Sequence, residues 1–245
     1  MPIIYLSPST QEWNSYVTGS GSEELWMNRI ADAMIPYLNA SGIRYTRNTP
    51  QMTAGSSIQQ ANRGYYDFYL ALHSNAAGPG NYGRERGVIA FYYPTSTQGQ
   101  RGAQIIANNL ADIYPEPSRV FTRATTTLGE VRDSRFPAVL VEIAYHDNTE
   151  DARWIESNVT EIARNLVVSL TDYFDLPFIW PTTPWQGTVR AGGGTLNLRS
   201  RPESSASVIA NIPDGARVTV YGAYQDWYVV RYGTYTGYAS QRFIS

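Results

Sequence analysis

The run Ala138-Val-Leu-Val141, entered through Phe136-Pro137 and left through Glu142, narrows the choice of fold more than any other stretch. A strand with one wet face alternates apolar and polar residues. An uninterrupted apolar run of this length reads instead as a strand covered on both faces. Helices must supply that cover, and the flanking sequence provides them. Ser20-Gly-Ser-Glu23 has capping-box spacing and opens a helix on which Trp26, Met27, Ile30, Met34, Tyr37 and Leu38 recur at i, i+3 and i+4. Gly42 is its natural stop. A second helical period runs from Gln100 to Ile113 through Ala103, Ile106, Ala107 and Leu110. One long helix follows, carried by Trp154, Ile155, Val159, Ile162, Leu166 and Leu170. Ile3-Ile-Tyr-Leu6, Phe68 to Leu72 and Val88 to Tyr93 are further apolar strands. Strands alternating with amphipathic helices predict an α/β domain: a twisted, mostly parallel or mixed sheet flanked by helices.

The pattern ends near residue 176. Leu176-Pro-Phe-Ile-Trp-Pro-Thr-Thr-Pro-Trp185 reads as an extended linker, because proline fixes φ and cannot continue a helix. Beyond it come short β-type runs broken by Gly, Pro, Asn and Asp. The expected division is a first domain over 1–175, a Pro-rich linker over 176–186 and a small all-β domain over 187–245.

Composition removes several chemistries. The chain has no cysteine and only two histidines, so Cys-ligated zinc, iron–sulfur clusters, disulfides and a cysteine nucleophile are excluded. All 19 basic residues are arginine, unclustered, and the net charge is −2. Such a chain predicts no nucleic-acid partner and no binding to anionic membranes, which need concentrated positive charge. No apolar stretch approaches the roughly 20 residues needed to span a bilayer, so no membrane insertion is expected. Met1 to Ser9 lacks the charged and apolar regions of a signal peptide.

In α/β sheets the reactive groups gather at the carboxyl ends of strands. Leu70-Ala-Leu-His73-Ser-Asn75 places a histidine at one such end, and Val141-Glu142-Ile-Ala-Tyr-His146 places a glutamate and the other histidine at another. The first strand runs into Leu6-Ser-Pro-Ser-Thr-Gln11, and Glu24 lies in the first turn of the first helix. Imidazole with carboxylates suits a hydrolytic zinc site, in which the metal acidifies a bound water and a free carboxylate accepts its proton. Glu142 fits that base role. Each residue also has a plainer reading. His73 can be a hydrogen-bonded structural residue, Glu24 a partner of the helix dipole, and Glu142 half of a buried ion pair.

In order, Leu6-Ser-Pro, Glu24 four residues before Asn28, His73-Ser-Asn-Ala, and Pro137-Ala-Val-Leu-Val-Glu142 with Asn148 beyond resemble the motifs of zinc-dependent N-acetylmuramoyl-L-alanine amidases of the type-3 group. The resemblance covers about residues 1–175. It implies a six-stranded sheet, a Zn2+ cofactor, metal-ligand roles for Glu24 and His73, and Glu142 as the catalytic glutamate. The implied reaction is hydrolysis of the amide between N-acetylmuramic acid and the L-alanine of the peptidoglycan stem peptide. The family's turn after the first strand carries a histidine ligand, whereas here that turn is Ser9-Thr10-Gln11. Either His146 or Gln11 then takes the third ligand position, or the site is incomplete and metal-poor. Strand alternation would put Glu142, Ala144 and His146 on one face, while a neutral amide is the poorer zinc ligand. Asn75 and Arg132 are candidate substrate contacts. Leu196-Asn-Leu-Arg-Ser-Arg-Pro202 resembles the mark of a bacterial SH3-type domain, a small β-barrel that implies binding to the peptide part of peptidoglycan. The expected protein is a wall hydrolase acting outside the cell or released on lysis, as a phage lysin or a host enzyme. The rival readings are a non-catalytic wall-binding protein with an amidase fold, and a zinc peptidase acting on another peptide-like substrate.

Overall fold

The computed structural model describes residues 1–245 and resolves into two units, each built on a six-stranded sheet. The first unit comprises Ile3–Met34 and Tyr45–Tyr173; the second comprises Met1–Pro2, Ile35–Arg44 and Phe174–Ser245.

In the first unit the strands are β1 (Ile3–Pro8), β2 (Arg44–Arg47), β3 (Phe68–Asn75), β4 (Val88–Tyr92), β5 (Val120–Ala124) and β6 (Ala138–Tyr145). Their order across the sheet is β2-β1-β3-β6-β4-β5. β1, β3 and β6 run parallel, β4 is antiparallel to β6, and β5 is parallel to β4, which makes the sheet mixed and mostly parallel. The apolar runs fall at its centre. Every residue of β3 from Phe68 to Ser74 is buried, as are Ala138 to Val141 of β6. Helices α1 (Glu23–Ala40), α2 (Ala54–Asn62), α3 (Thr97–Ala111), α4 (Gly129–Arg132), α5 (Thr149–Ser157) and α6 (Val159–Phe174) complete the α/β architecture.

Two helix expectations change. The first helix begins at Glu23, with Ser22 rather than Ser20 at its start: Ser22 Oγ accepts the Leu25 N–H at 3.3 Å. Glu23 therefore has its side chain free for other partners. The expected long helix is two, because Asn158 leaves helical geometry (φ −124°, ψ 21°) and its amide donates to Trp154 O at 2.8 Å. Gly42 ends α1 as expected, in the left-handed conformation at φ +75° that glycine adopts without a Cβ penalty.

In the second unit β7 (Trp185–Thr188), β8 (Thr195–Arg199), β9 (Val208–Pro213), β10 (Arg217–Tyr224), β11 (Trp227–Tyr232) and β12 (Tyr235–Ser240) pair antiparallel in the order β7-β10-β11-β12-β8-β9. Leu196 and Leu198 of the Leu-Asn-Leu motif point inward to Val189, Ile212, Val218, Val220, Val230, Ala239 and Ile244. At the Pro213-Asp-Gly215 turn, Gly215 takes φ +78° and the Asp214 carboxylate accepts the Ala191 and Gly193 N–H groups at 2.6 and 2.9 Å. The proline-rich stretch is packed in its first half. Ile179 is buried with Ala40, Val229 and Tyr238, and its N–H donates to Ser41 Oγ at 3.1 Å. No helix is long and apolar enough to cross a membrane.

Candidate active site

The parallel run of β1, β3 and β6 brings three strand ends to one edge of the sheet. His73 stands opposite Glu142 in the β3–β6 register, so both side chains leave the same face. Ser7 lies near the end of β1, and Ser9 N–H donates to Leu72 O at 2.9 Å, which seats the polar turn beside β3.

His73 is buried and held from both sides. Its Nδ1–H donates to Glu23 Oε1 at 2.8 Å and its Nε2–H to Glu130 Oε2 at 2.7 Å. Both carboxylates are hydrogen-bonded in turn. Glu130 Oε1 accepts from Ser7 Oγ at 2.6 Å and from the Tyr69 hydroxyl at 2.7 Å. Glu23 Oε2 accepts from Asn14 Nδ2 at 2.6 Å. Burial alone would push the His73 imidazolium pKa down, but hydrogen bonds and charge from Glu130 and Glu23 raise it well above the ordinary value. The same contacts act in reverse on the carboxylates. Burial opposes their ionisation, and His73 with the hydroxyl and amide donors holds both below the usual range.

Glu142 differs in that its Oε2 is buried without a hydrogen-bond partner. Burial pushes its carboxyl up to about 7; His73 opposes the rise, and Glu23 and Glu130 add to it. A carboxyl balanced near neutrality can take up and release a proton at working pH. Beside this cluster lies a cavity of about 290 Å³, lined among others by Ser9, Gln11, Trp13, Asn48, His73 and Glu130.

The expected site residues are thus partly gathered. His73 and Glu142 stand opposite each other in register, and Gln11 reaches His73, with Nε2 at 3.4 Å from His73 Nδ1. Glu24 does not join: it faces a neighbouring hollow of about 360 Å³ with Glu12, Trp13 and Gln51. Glu23 stands at His73 instead. Helical phase carried that signal, because Glu23 is four residues before Met27 on the buried stripe, whereas Glu24 precedes the half-exposed Asn28. His146 does not join either. Ala144 adopts φ +58° and the β3–β6 register shifts between His73 and Asn75, so the expected alternation breaks before residue 146. His146 instead stacks on Tyr16 at 5.6 Å, and its Nδ1–H donates to Ser74 O at 2.8 Å. Arg132 pairs with Asp133, and Asn75 Oδ1 accepts the Ala76 N–H at 2.8 Å. Glu130, Ser7 and Tyr69 are members that sequence reasoning did not find.

Zinc is the cofactor typical of the family resembled, and the donor set here does not fit it. The turn after β1 offers no imidazole, both nitrogens of His73 are bonded to carboxylates, and His146 is engaged elsewhere. No three His, Cys, Asp or Glu side chains converge as metal ligands.

Comparison with known proteins agrees with the architecture. The family model for N-acetylmuramoyl-L-alanine amidase matches residues 12–172, and that for the bacterial SH3 domain matches residues 194–245. The catalytic domain of CwlV, an amidase of Bacillus (Paenibacillus) polymyxa var. colistinus, matches with a TM-score of 0.63 and 14% identity, over 72% of this chain and 100% of that one. The amidase AmiC2 of Nostoc punctiforme matches with a TM-score of 0.62 and 15% identity, over 71% and 97%. The catalytic domain of the CD27L endolysin, which targets Clostridia difficile, matches with a TM-score of 0.56 and 19% identity, over 70% and 98%. At these identities the likeness shows the fold. A search of curated proteins gives no match. With its family match spanning most of the chain, this protein belongs to the N-acetylmuramoyl-L-alanine amidase family of cell-wall hydrolases and carries a C-terminal bacterial SH3 domain.

Proposed function

We propose that the chain hydrolyses peptidoglycan at the amide between N-acetylmuramic acid and the L-alanine of the stem peptide, with Glu142 as the proton-transfer group. The observation that carries this reading is the buried, unpartnered Oε2 of Glu142 in register with His73 at the edge of the sheet. Glu142 as carboxylate takes a proton from water as the water oxygen bonds to the amide carbonyl carbon. The carbon–nitrogen bond then breaks, and Glu142 returns the proton to the departing alanine amine. The charge of the clamped His73 favours the carboxylate form of Glu142 against the cost of its burial. The SH3 domain holds the enzyme on the wall and so raises the local concentration of substrate. The site of action is the bacterial cell wall.

The test is release of new L-alanine amino groups from purified peptidoglycan. Wild type is expected to release them, and Glu142→Gln to be slower by about 10²–10⁴-fold, the usual range for loss of a general base. Wall binding without release by the wild type would instead favour a non-catalytic wall protein, which the departure from the family's ligand set also suits.

A further inference from the structure

The two ring nitrogens of His73 decide between a metal and a proton on distance. Zinc bonds of about 2.0–2.2 Å at the tetrahedral angle hold two ligand atoms roughly 3.3–3.5 Å apart. Here the nitrogen–oxygen separations are 2.8 Å to Glu23 and 2.7 Å to Glu130, both hydrogen-bond lengths. A zinc ligand must also offer a neutral nitrogen with a free lone pair. A ring flanked on both sides by carboxylates satisfies them only by donating twice. Each carboxylate is anchored in turn, Glu130 by Ser7 and Tyr69 and Glu23 by Asn14, so neither is free to swing aside for an ion. The cluster is largely buried as well, with side-chain exposure of 11% for His73, 1% for Glu23 and 4% for Glu130, and of the three only His73 and Glu130 reach the cavity beside it.

We infer that the His73 imidazolium, clamped between Glu23 and Glu130, stands in place of the family's zinc, so that this chain holds its site together without a stoichiometric metal ion. The inference rests on the proposed function only for the location of the site. It concerns what organises the residues around Glu142, and it departs from the family at the cofactor.

Metal analysis of the purified full chain, followed by calorimetric titration with zinc chloride, tests it without reference to activity. The expected result is far less than one zinc per chain and no uptake that depends on His73. One equivalent of zinc that disappears in His73→Ala would overturn the inference while leaving amide hydrolysis open. Because that variant can misfold, imidazole nitrogen NMR of the wild type supplies a second readout. Both His73 nitrogens should carry protons, unchanged by chelator or by added zinc. Loss of one of those N–H signals on adding zinc would equally refute the clamp. Failure of the amidase reading alone would show as absent amino-group release beside an intact two-proton His73 signal.

Discussion

At the scale of single residues, Glu142 ties activity and stability to the same proton in opposite senses. Its folded value of about 7 lies above the ordinary 4.5. The folded state therefore binds a proton more tightly than the unfolded state does. That contribution to stability is complete below the unfolded value and is lost as pH rises through about 7. The base form needed for hydrolysis appears over the same rise. Peptidoglycan cleavage should therefore climb with pH along a limb centred near 7, while the stability of wild type falls relative to Glu142→Gln between about 4.5 and 7. A pH–rate profile and thermal midpoints of both proteins across that window check the two halves. A flat difference in midpoint would mean that Glu142 titrates as an ordinary surface carboxyl.

At the scale of elements, the site depends on how β6 ends. Asp151, wholly buried near the start of α5, accepts the Gly87 and Tyr145 N–H groups at 3.0 Å each and the Tyr114 hydroxyl at 2.6 Å, and pairs with Arg86. Asn148 caps the same helix, its Oδ1 accepting the Glu150 and Asp151 N–H groups at 3.0 and 3.2 Å. Together they fix the turn that carries Ala144 through positive φ and sends His146 to Tyr16. Asp151→Ala would strand the buried Gly87, Tyr145 and Tyr114 donors, while Arg86 keeps Glu116 and Glu150, and should cost about 3 kcal/mol in denaturant unfolding. The run of apolar residues into Glu142 was legible as a covered strand because burial of both faces is written in consecutive positions. The fate of His146 was not, since one positive φ at an alanine reverses an alternation that every neighbour supports.

At the scale of the whole molecule, the segment that composition marks as a spacer serves partly as core. Ile179 joins Ala40, Val229 and Tyr238 in the second unit, and a Cβ on Gly222 would come within 2.9 Å of the Ile179 side chain. Ile179→Ala should therefore destabilise that unit by about 2–5 kcal/mol, as truncation of a buried isoleucine does. Calorimetric unfolding of the full chain checks it, and an unchanged midpoint would return the segment to a solvated tether. Residues 176–184 form neither helix nor strand, and β7 begins at Trp185. Packing of the segment's apolar side chains depends on a surface that lies elsewhere in the chain.

Periodicity and punctuation, both local, determined the type of the longer elements, the mixed α/β class, the all-β C-terminal domain and the strand end that carries Glu142, but not β2, β5, α2 or α4. They also placed His73 at the edge of the sheet. Only the tertiary structure decided which of two adjacent glutamates faces His73, that Glu130 closes its other side from a four-residue helix with no periodic signal, and that the second histidine turns away. These are choices of side-chain direction between residues 50 to 72 apart in the chain. They are set by strand register, helix phase and a single backbone dihedral, and no nearest-neighbour pattern encodes them.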